Sequence, residues 1–159
     1  MAKPNPADLK FNIVALDVDS FHQFNYKGQI HNLHQNKEKQ YNLDFETDGS
    51  LGLYEELDII QMKLKITVSA KAKKGDNVPV CNLETTTDFK VENLKSLRTG
   101  DTYTVPFRLS FTIQTVAYST TRGILYERMA ASRIGGVLMP LVDISQSPKR
   151  DMVFNVAKK

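Results

Sequence analysis

The stretch Ile59-Ile60-Gln61-Met62-Lys63-Leu64-Lys65-Ile66-Thr67-Val68-Ser69 decides the fold class. Ile60, Met62, Leu64, Ile66 and Val68 fall at every second position, with Gln61, Lys63, Lys65, Thr67 and Ser69 between them. Side chains of an extended chain point alternately to opposite faces, so a period of two describes a strand with one buried and one wetted face. Downstream, Lys73-Lys74-Gly75-Asp76-Asn77 has the composition of a hairpin turn, and Val78 to Val91 returns as a strand with Cys81, Leu83, Thr85 and Thr87 on one face. Upstream, Tyr41, Leu43 and Phe45 alternate with Asn42, Asp44 and Glu46, and Asp48-Gly49-Ser50 supplies residues suited to a turn. Further back, Leu9, Phe11 and Ile13 hold one phase of alternation and Leu16, Val18 and Phe21 another, which predicts a first strand over 9–24 carrying a bulge. Residues 25–39 between these strands are polar and without period, as in a loop or short crossover. Four strands in this order predict an antiparallel meander or Greek key.

After Gly100-Asp101 two periods compete. Val105, Phe107, Leu109, Phe111 and Ile113 alternate like a strand, while Val105, Leu109, Ile113 and Val116 keep a helical spacing. Thr104 ahead of Pro106 tips the reading towards a helix, because a threonine accepts from unpaired amides and proline is tolerated in a first turn. A second helix is expected after a cap at Ser119, Thr120 or Thr121, with Ile124, Leu125, Met129 and Ser132 along one side and a stop near Gly135-Gly136. Pro140 prevents it resuming at once, and Met152-Val153-Phe154 forms a short final element.

A chain of 159 residues with 41% apolar and 25% charged residues has the composition of one ordinary soluble domain over 1–159. No apolar run is long enough to span a bilayer, and Met1-Ala2-Lys3-Pro4-Asn5-Pro6 lacks the apolar centre of a secretion signal, so a cytoplasmic location without membrane insertion is expected. The single Cys81 allows no internal disulfide and is expected to be a small buried hydrophobe. A net charge of +3, with basic residues interleaved among carboxylates as in Lys37-Glu38-Lys39, does not describe a nucleic-acid surface.

No constellation calls for covalent chemistry or a cofactor. His31 and His34 have a spacing that could offer two imidazoles to a metal, but Asn32, Leu33 and Gln35 supply no charged third ligand, so no metal is expected. Asp17, Asp19 and His22 have no nucleophile near them in sequence and read as a solvated strand face. There is no Gly-x-Ser-x-Gly elbow and no phosphate-binding loop. The expectation is therefore a protein that is not an enzyme, with no catalytic residues.

The order of segments resembles the SecB family of protein-export chaperones. The likeness is carried by Leu57 to Ala72, the short charged turn, Val80-Cys81-Asn82-Leu83-Glu84, and the helix Ala117-Tyr118-Ser119-Thr120-Thr121-Arg122-Gly123-Ile124-Leu125-Tyr126-Glu127-Arg128-Met129 running on towards Met139-Pro140-Leu141. It implies an α+β fold, a four-stranded antiparallel sheet with helices packed on one face. It also implies an ATP-independent holdase that binds unfolded polypeptides such as preproteins in apolar grooves, in a homo-oligomer that is a dimer or a dimer of dimers (homotetramer). The family's groove lies between the second strand and the helical layer. By resemblance Tyr41, Leu43 and Phe45 form one wall, and Ile124, Leu125, Leu138, Met139 and Leu141 the helix and loop side. The strand around the cysteine makes oligomer contacts in the family, which nominates Cys81, Leu83 and Thr85.

The departures bear on the export role. Family members are acidic and dock on the motor SecA through carboxylates of the outer sheet face. This chain is basic, with Asn82, Val18 and His22 at positions where the family places acids and Lys158-Lys159 near the end. Loss of those charges weakens SecA docking. Other readings of the same fold are a chaperone dedicated to one partner such as an antitoxin, a small hydrophobic-ligand binder or thioesterase-type enzyme, and an adaptor for one folded partner.

Overall fold

The computed structural model describes residues 9–24, 42–71, 77–130, 137–140 and 149–155. The chain is α+β. Strands β1 (Phe11–Gln23), β2 (Asn42–Tyr54), β3 (Ile59–Lys71) and β4 (Asn77–Val91) form an antiparallel sheet in the order β1-β4-β3-β2. Three consecutive strands form a meander, and β1 returns beside β4 to close a Greek key. The helix α1 (Phe107–Ala130) packs across β3 and β4. A small second sheet, ordered β5-β6-β7, is built from β5 (Arg98–Thr99), β6 (Thr102–Val105) and β7 (Met152–Asn155).

The alternation of Ile60, Met62, Leu64, Ile66 and Val68 buries all five, and the matching face of β4 buries Cys81, Leu83, Thr85, Thr87, Phe89 and Val91. Above them α1 lays down Leu109, Ile113, Ala117, Thr121, Leu125 and Met129, spaced by four and all buried. That spacing keeps one stripe of the helix against the two central strands. Each large apolar side chain removed from water here contributes about 1.5–3 kcal/mol before entropy is set against it.

The predicted phase shift in the first strand is a pair of bulges, where Val14 and Asp19 are extra residues in the ladder to β4. Asp19 accepts a hydrogen bond from the Thr86 hydroxyl, which ties the second bulge down. The turn expected at Asp48-Gly49-Ser50 is absent. These residues continue β2, with Asp48 opposite Lys65 and Ser50 opposite Lys63. A Cβ on Gly49 would stand 2.9 Å from Met62 Cε and 3.1 Å from Leu64 Cδ2, so this glycine admits neighbouring side chains and turns no corner. The chain reverses later, at Glu55–Leu57, where Asp58 takes the left-handed conformation with φ 55°. Arg98 Nη1 donates to both oxygens of Glu55, at 2.8 and 3.1 Å, and links that turn to the second sheet. The hairpin turn at 73–76 and the loop at 25–39 lie outside the described residues.

Two expected helices are one. Thr120 and Thr121 donate to the carbonyls of Val116 and Ala117 inside a continuous helix, so neither caps a new one. Thr104 lies in β6 and caps nothing; the carboxylate of Asp151, just before β7, accepts from the Phe107 amide at 2.9 Å and caps α1 from 44 residues away. Met152-Val153-Phe154 forms the expected final element as β7. Ser132 and Gly135-Gly136 are outside the described residues.

Candidate functional site

The helix covers the middle of one sheet face and leaves the margins open. Directly opposite residues of an antiparallel ladder point to the same face. Leu43 stands opposite Ala70 and Phe45 opposite Val68, both buried, so Leu43 and Phe45 project to the helix side from the edge strand β2, where each is half-buried. Leu51 and Leu53 continue the row opposite Met62 and Ile60. The row dips at Gly49, where Met62 and Leu64 lean over the backbone. Tyr41 lies outside the described residues.

The helix and loop candidates divide. Ile124 is half-buried at the core margin, whereas Leu125 and Met139 are 0% exposed and offer no surface to a ligand in this conformation. Residues 137–140 form an extended strap in which Val137 and Met139 point into the core and Leu138 is 59% exposed. Two side chains of α1 hold the strap: the Tyr118 hydroxyl donates to the Pro140 carbonyl at 3.0 Å and Arg122 Nε to the Met139 carbonyl at 2.8 Å. Leu141 lies outside the described residues.

Cys81, Leu83 and Thr85, nominated for contacts with another copy, are buried beneath α1 with at most 1% exposure. Thr85 Oγ1 lies 2.8 Å from Thr121 Oγ1, so this face of β4 fastens the helix to the sheet and presents no side chain to a second molecule. Burial pushes the Cys81 thiol up to about 11, away from reactivity near neutral pH. An apolar surface that the sequence reading did not single out lies on β1. Ile13, Leu16 and Val18 face the helix side, opposite buried Phe89, Thr87 and Thr85, yet are 46%, 39% and 37% exposed. Their alternation was legible; their place at the sheet edge, beyond the reach of α1, was not.

The outer face of the sheet is polar. Asp17, Asp44, Glu46, Asp48, Glu84 and Asp88 share it with Lys63, Lys65 and Lys90, an acidic surplus on a chain whose net charge is +3. Val18, a position considered for lost acidity, points to the other face. An open cleft of about 340 Å³ crosses the strands here, with Asp19, Asp48, Ser50, Lys63, Lys65 and Glu84 around it and no histidine in its lining. Lys65 pairs with Glu84 at 3.2 Å. His22 packs edge-on against Phe24, with ring centres 4.6 Å apart, and Asp19 is engaged by Thr86, so the Asp17, Asp19 and His22 group does not converge on one point. Among the described residues no group of three or more His, Cys, Asp or Glu side chains is placed to hold a metal, and no helix is long and apolar enough to cross a membrane. His31 and His34 are outside the described residues.

No family model matches the sequence, and no curated protein matches it. Solved structures do. A SecB-like chaperone of Mycobacterium tuberculosis, in complex with a peptide from the HigA1 antitoxin, superposes with a TM-score of 0.53 at 10% identity, over 84% of this chain and 91% of that one. A protein of unknown function from Streptococcus agalactiae aligns with a TM-score of 0.40 at 14% identity, over 85% of this chain and 100% of that one. At such identities the first likeness is one of fold: the α+β architecture is SecB-like.

Proposed function

We propose that this protein is a nucleotide-independent holdase, which binds non-native polypeptide along apolar surface at the margins of its sheet and changes no covalent bond. The observation that carries this reading is the half-buried row of Leu43, Phe45, Leu51 and Leu53, left beside the helix and not beneath it. Such a row offers area without a shaped pocket, which suits ligands held for their apolarity and not for their sequence. The SecB-like fold, and the peptide bound by the mycobacterial chaperone, support the same reading. Polypeptide clients are its partners, and the cytoplasm its location.

Self-association completes the proposal. The exposed Ile13, Leu16 and Val18 row suits coverage by a second copy in a dimer, or in a dimer of dimers, and several grooves on one assembly add avidity for a long client. A service to one partner, as for the antitoxin peptide of the mycobacterial chaperone, is the second reading, and client preference separates the two.

The test is to titrate the protein, without nucleotide, into an aggregating unfolded client and follow light scattering, with Phe45→Asp as the altered groove. Suppression near one subunit per client, lost in a folded Phe45→Asp protein, is the expected result. Absence of suppression across unrelated clients rejects general holding, and suppression unchanged in Phe45→Asp rejects the β2 groove.

A further inference from the structure

The two edges of the main sheet differ. β1 carries bulges at Val14 and Asp19, and bulges with inserted charge are devices that keep an edge from pairing with another strand. β2 has none of them. Its 13 residues pair with β3 in one unbroken register and contain neither proline nor lysine. Among the described residues no strand pairs with its other edge. A long edge without bulge, proline or lysine is a template for strand addition.

The faces of β2 say what would be added. Towards the helix side stand Leu43 and Phe45, which leave part of their apolar surface in water. Towards the outer side stand Asp44, Glu46 and Asp48, all exposed and without an ion-pair partner among the described residues. Glu46 faces Thr67 and Asp44 faces Ser69 across the ladder, so the neighbouring strand does not neutralise these two, while Asp48 faces Lys65, which pairs instead with Glu84. A strand laid along this edge would put every second side chain over the apolar row and the others beside carboxylates about 7 Å apart.

We propose that β2 captures a client by backbone pairing, adding an extended segment of non-native polypeptide as a fifth strand, and that it favours segments alternating apolar with Lys or Arg side chains. This rests on the holdase reading and supplies its mode of recognition. Main-chain bonds give affinity indifferent to sequence, and the two faces set the register.

The test uses the full chain and labelled 12-residue peptides that alternate Val or Phe with Lys, or with Glu, followed by fluorescence anisotropy and by amide hydrogen exchange of residues 42–54. The Lys peptide should bind roughly tenfold tighter than the Glu peptide, three exposed charge pairs each adding a small factor, and D44N/E46Q/D48N should erase that difference. N-methylation of the peptide amides on the side facing β2 should abolish binding, while methylation of the opposite set should not. Alternate β2 amides should gain protection when peptide is bound. Equal binding of both methylated peptides overturns the proposal, as does no gain in β2 protection at saturation. Full β2 protection in the free protein also overturns it, because the edge would then belong to another part of this chain or to a second copy. Light scattering on the same samples separates the two claims. Aggregation suppressed alongside negative peptide results removes strand addition and leaves the holdase reading, whereas neither suppression nor binding removes both.

Discussion

The hydroxyl pair between sheet and helix gives an asymmetric prediction. Thr121 donates its proton to the Ala117 carbonyl at 2.8 Å, so in the 2.8 Å contact between Thr85 and Thr121 the donor is Thr85. Thr121→Val removes the acceptor and leaves the Thr85 O–H without a partner at a position 1% exposed, which costs about 1–3 kcal/mol. Thr85→Val removes the donor but leaves Thr121 bonded to Ala117, so only one net hydrogen bond is lost, about 1 kcal/mol or less. Threonine and valine are nearly the same shape and have similar helix propensity, so packing changes little in either variant. With both hydroxyls gone nothing polar is stranded, and the double variant should be more stable than Thr121→Val alone. Urea unfolding at a fixed protein concentration reads this directly. At a slope of ~1–3 kcal/mol per M, a loss of ~2 kcal/mol lowers the midpoint by roughly 1 M. Equal losses for the two single variants, or a double variant that shows their sum, would refute the donor assignment and with it the account of the seam.

Asp151→Ala should destabilise by about 1 kcal/mol and speed amide exchange over 107–110, while Asp151→Asn, which also accepts, should lose much less; unchanged exchange in the alanine variant would mean that water caps the helix equally well. The raised Cys81 thiol adds a pH dependence. The unfolded thiol ionises near its ordinary value of 9.0 and the folded one near 11, so the stability that the protonated thiol lends is whole below about 9 and is lost as pH climbs to about 11. Relative to Cys81→Ala, the urea midpoint should hold level up to about 9 and then fall; a level difference up to 11 would show that the thiol is not shielded.

The central strands were legible because β3 alternates without a break and β4 keeps the same period from Cys81 to Val91 on its helix side, with Val80 an extra buried residue where its ladder to β3 shifts, and a buried face tolerates few exceptions. The Gly49 misreading has a definite cause. Composition marks glycine as turn-prone, but here the missing Cβ makes room for Met62 and Leu64, a contact created only by the pairing of β2 with β3. The cap on α1 could not be read locally, since Asp151 and Phe107 meet through the pairing of β6 with β7. Thr120 and Thr121 looked like caps because threonine serves either at a helix start or, bonded to the carbonyl four residues back, in its interior. Site prediction was limited by the same gap between period and position. The alternation of Leu43 and Phe45 gave their face, while exposure depended on which strands lie at the edge and where the helix rests. That distinction put Leu125 and Met139 in the core and left Ile13, Leu16 and Val18 in the open.

The Greek key order also bears on the route by which the chain folds. Phe11 finds its partner at Val91 and Gln23 at Cys81, so β1, the first strand in sequence, has nothing to pair with until β4 has emerged. Hairpin contacts within β2, β3 and β4 close short loops, whereas docking β1 closes a far longer one and is entropically slower. The three-stranded meander is thus the expected early structure, and β1 the last strand of the main sheet to lock. Until it does, β4 is a second sheet edge open to pairing, and a nascent chain stalled before that point would resemble the aggregation-prone polypeptides the finished protein is proposed to hold.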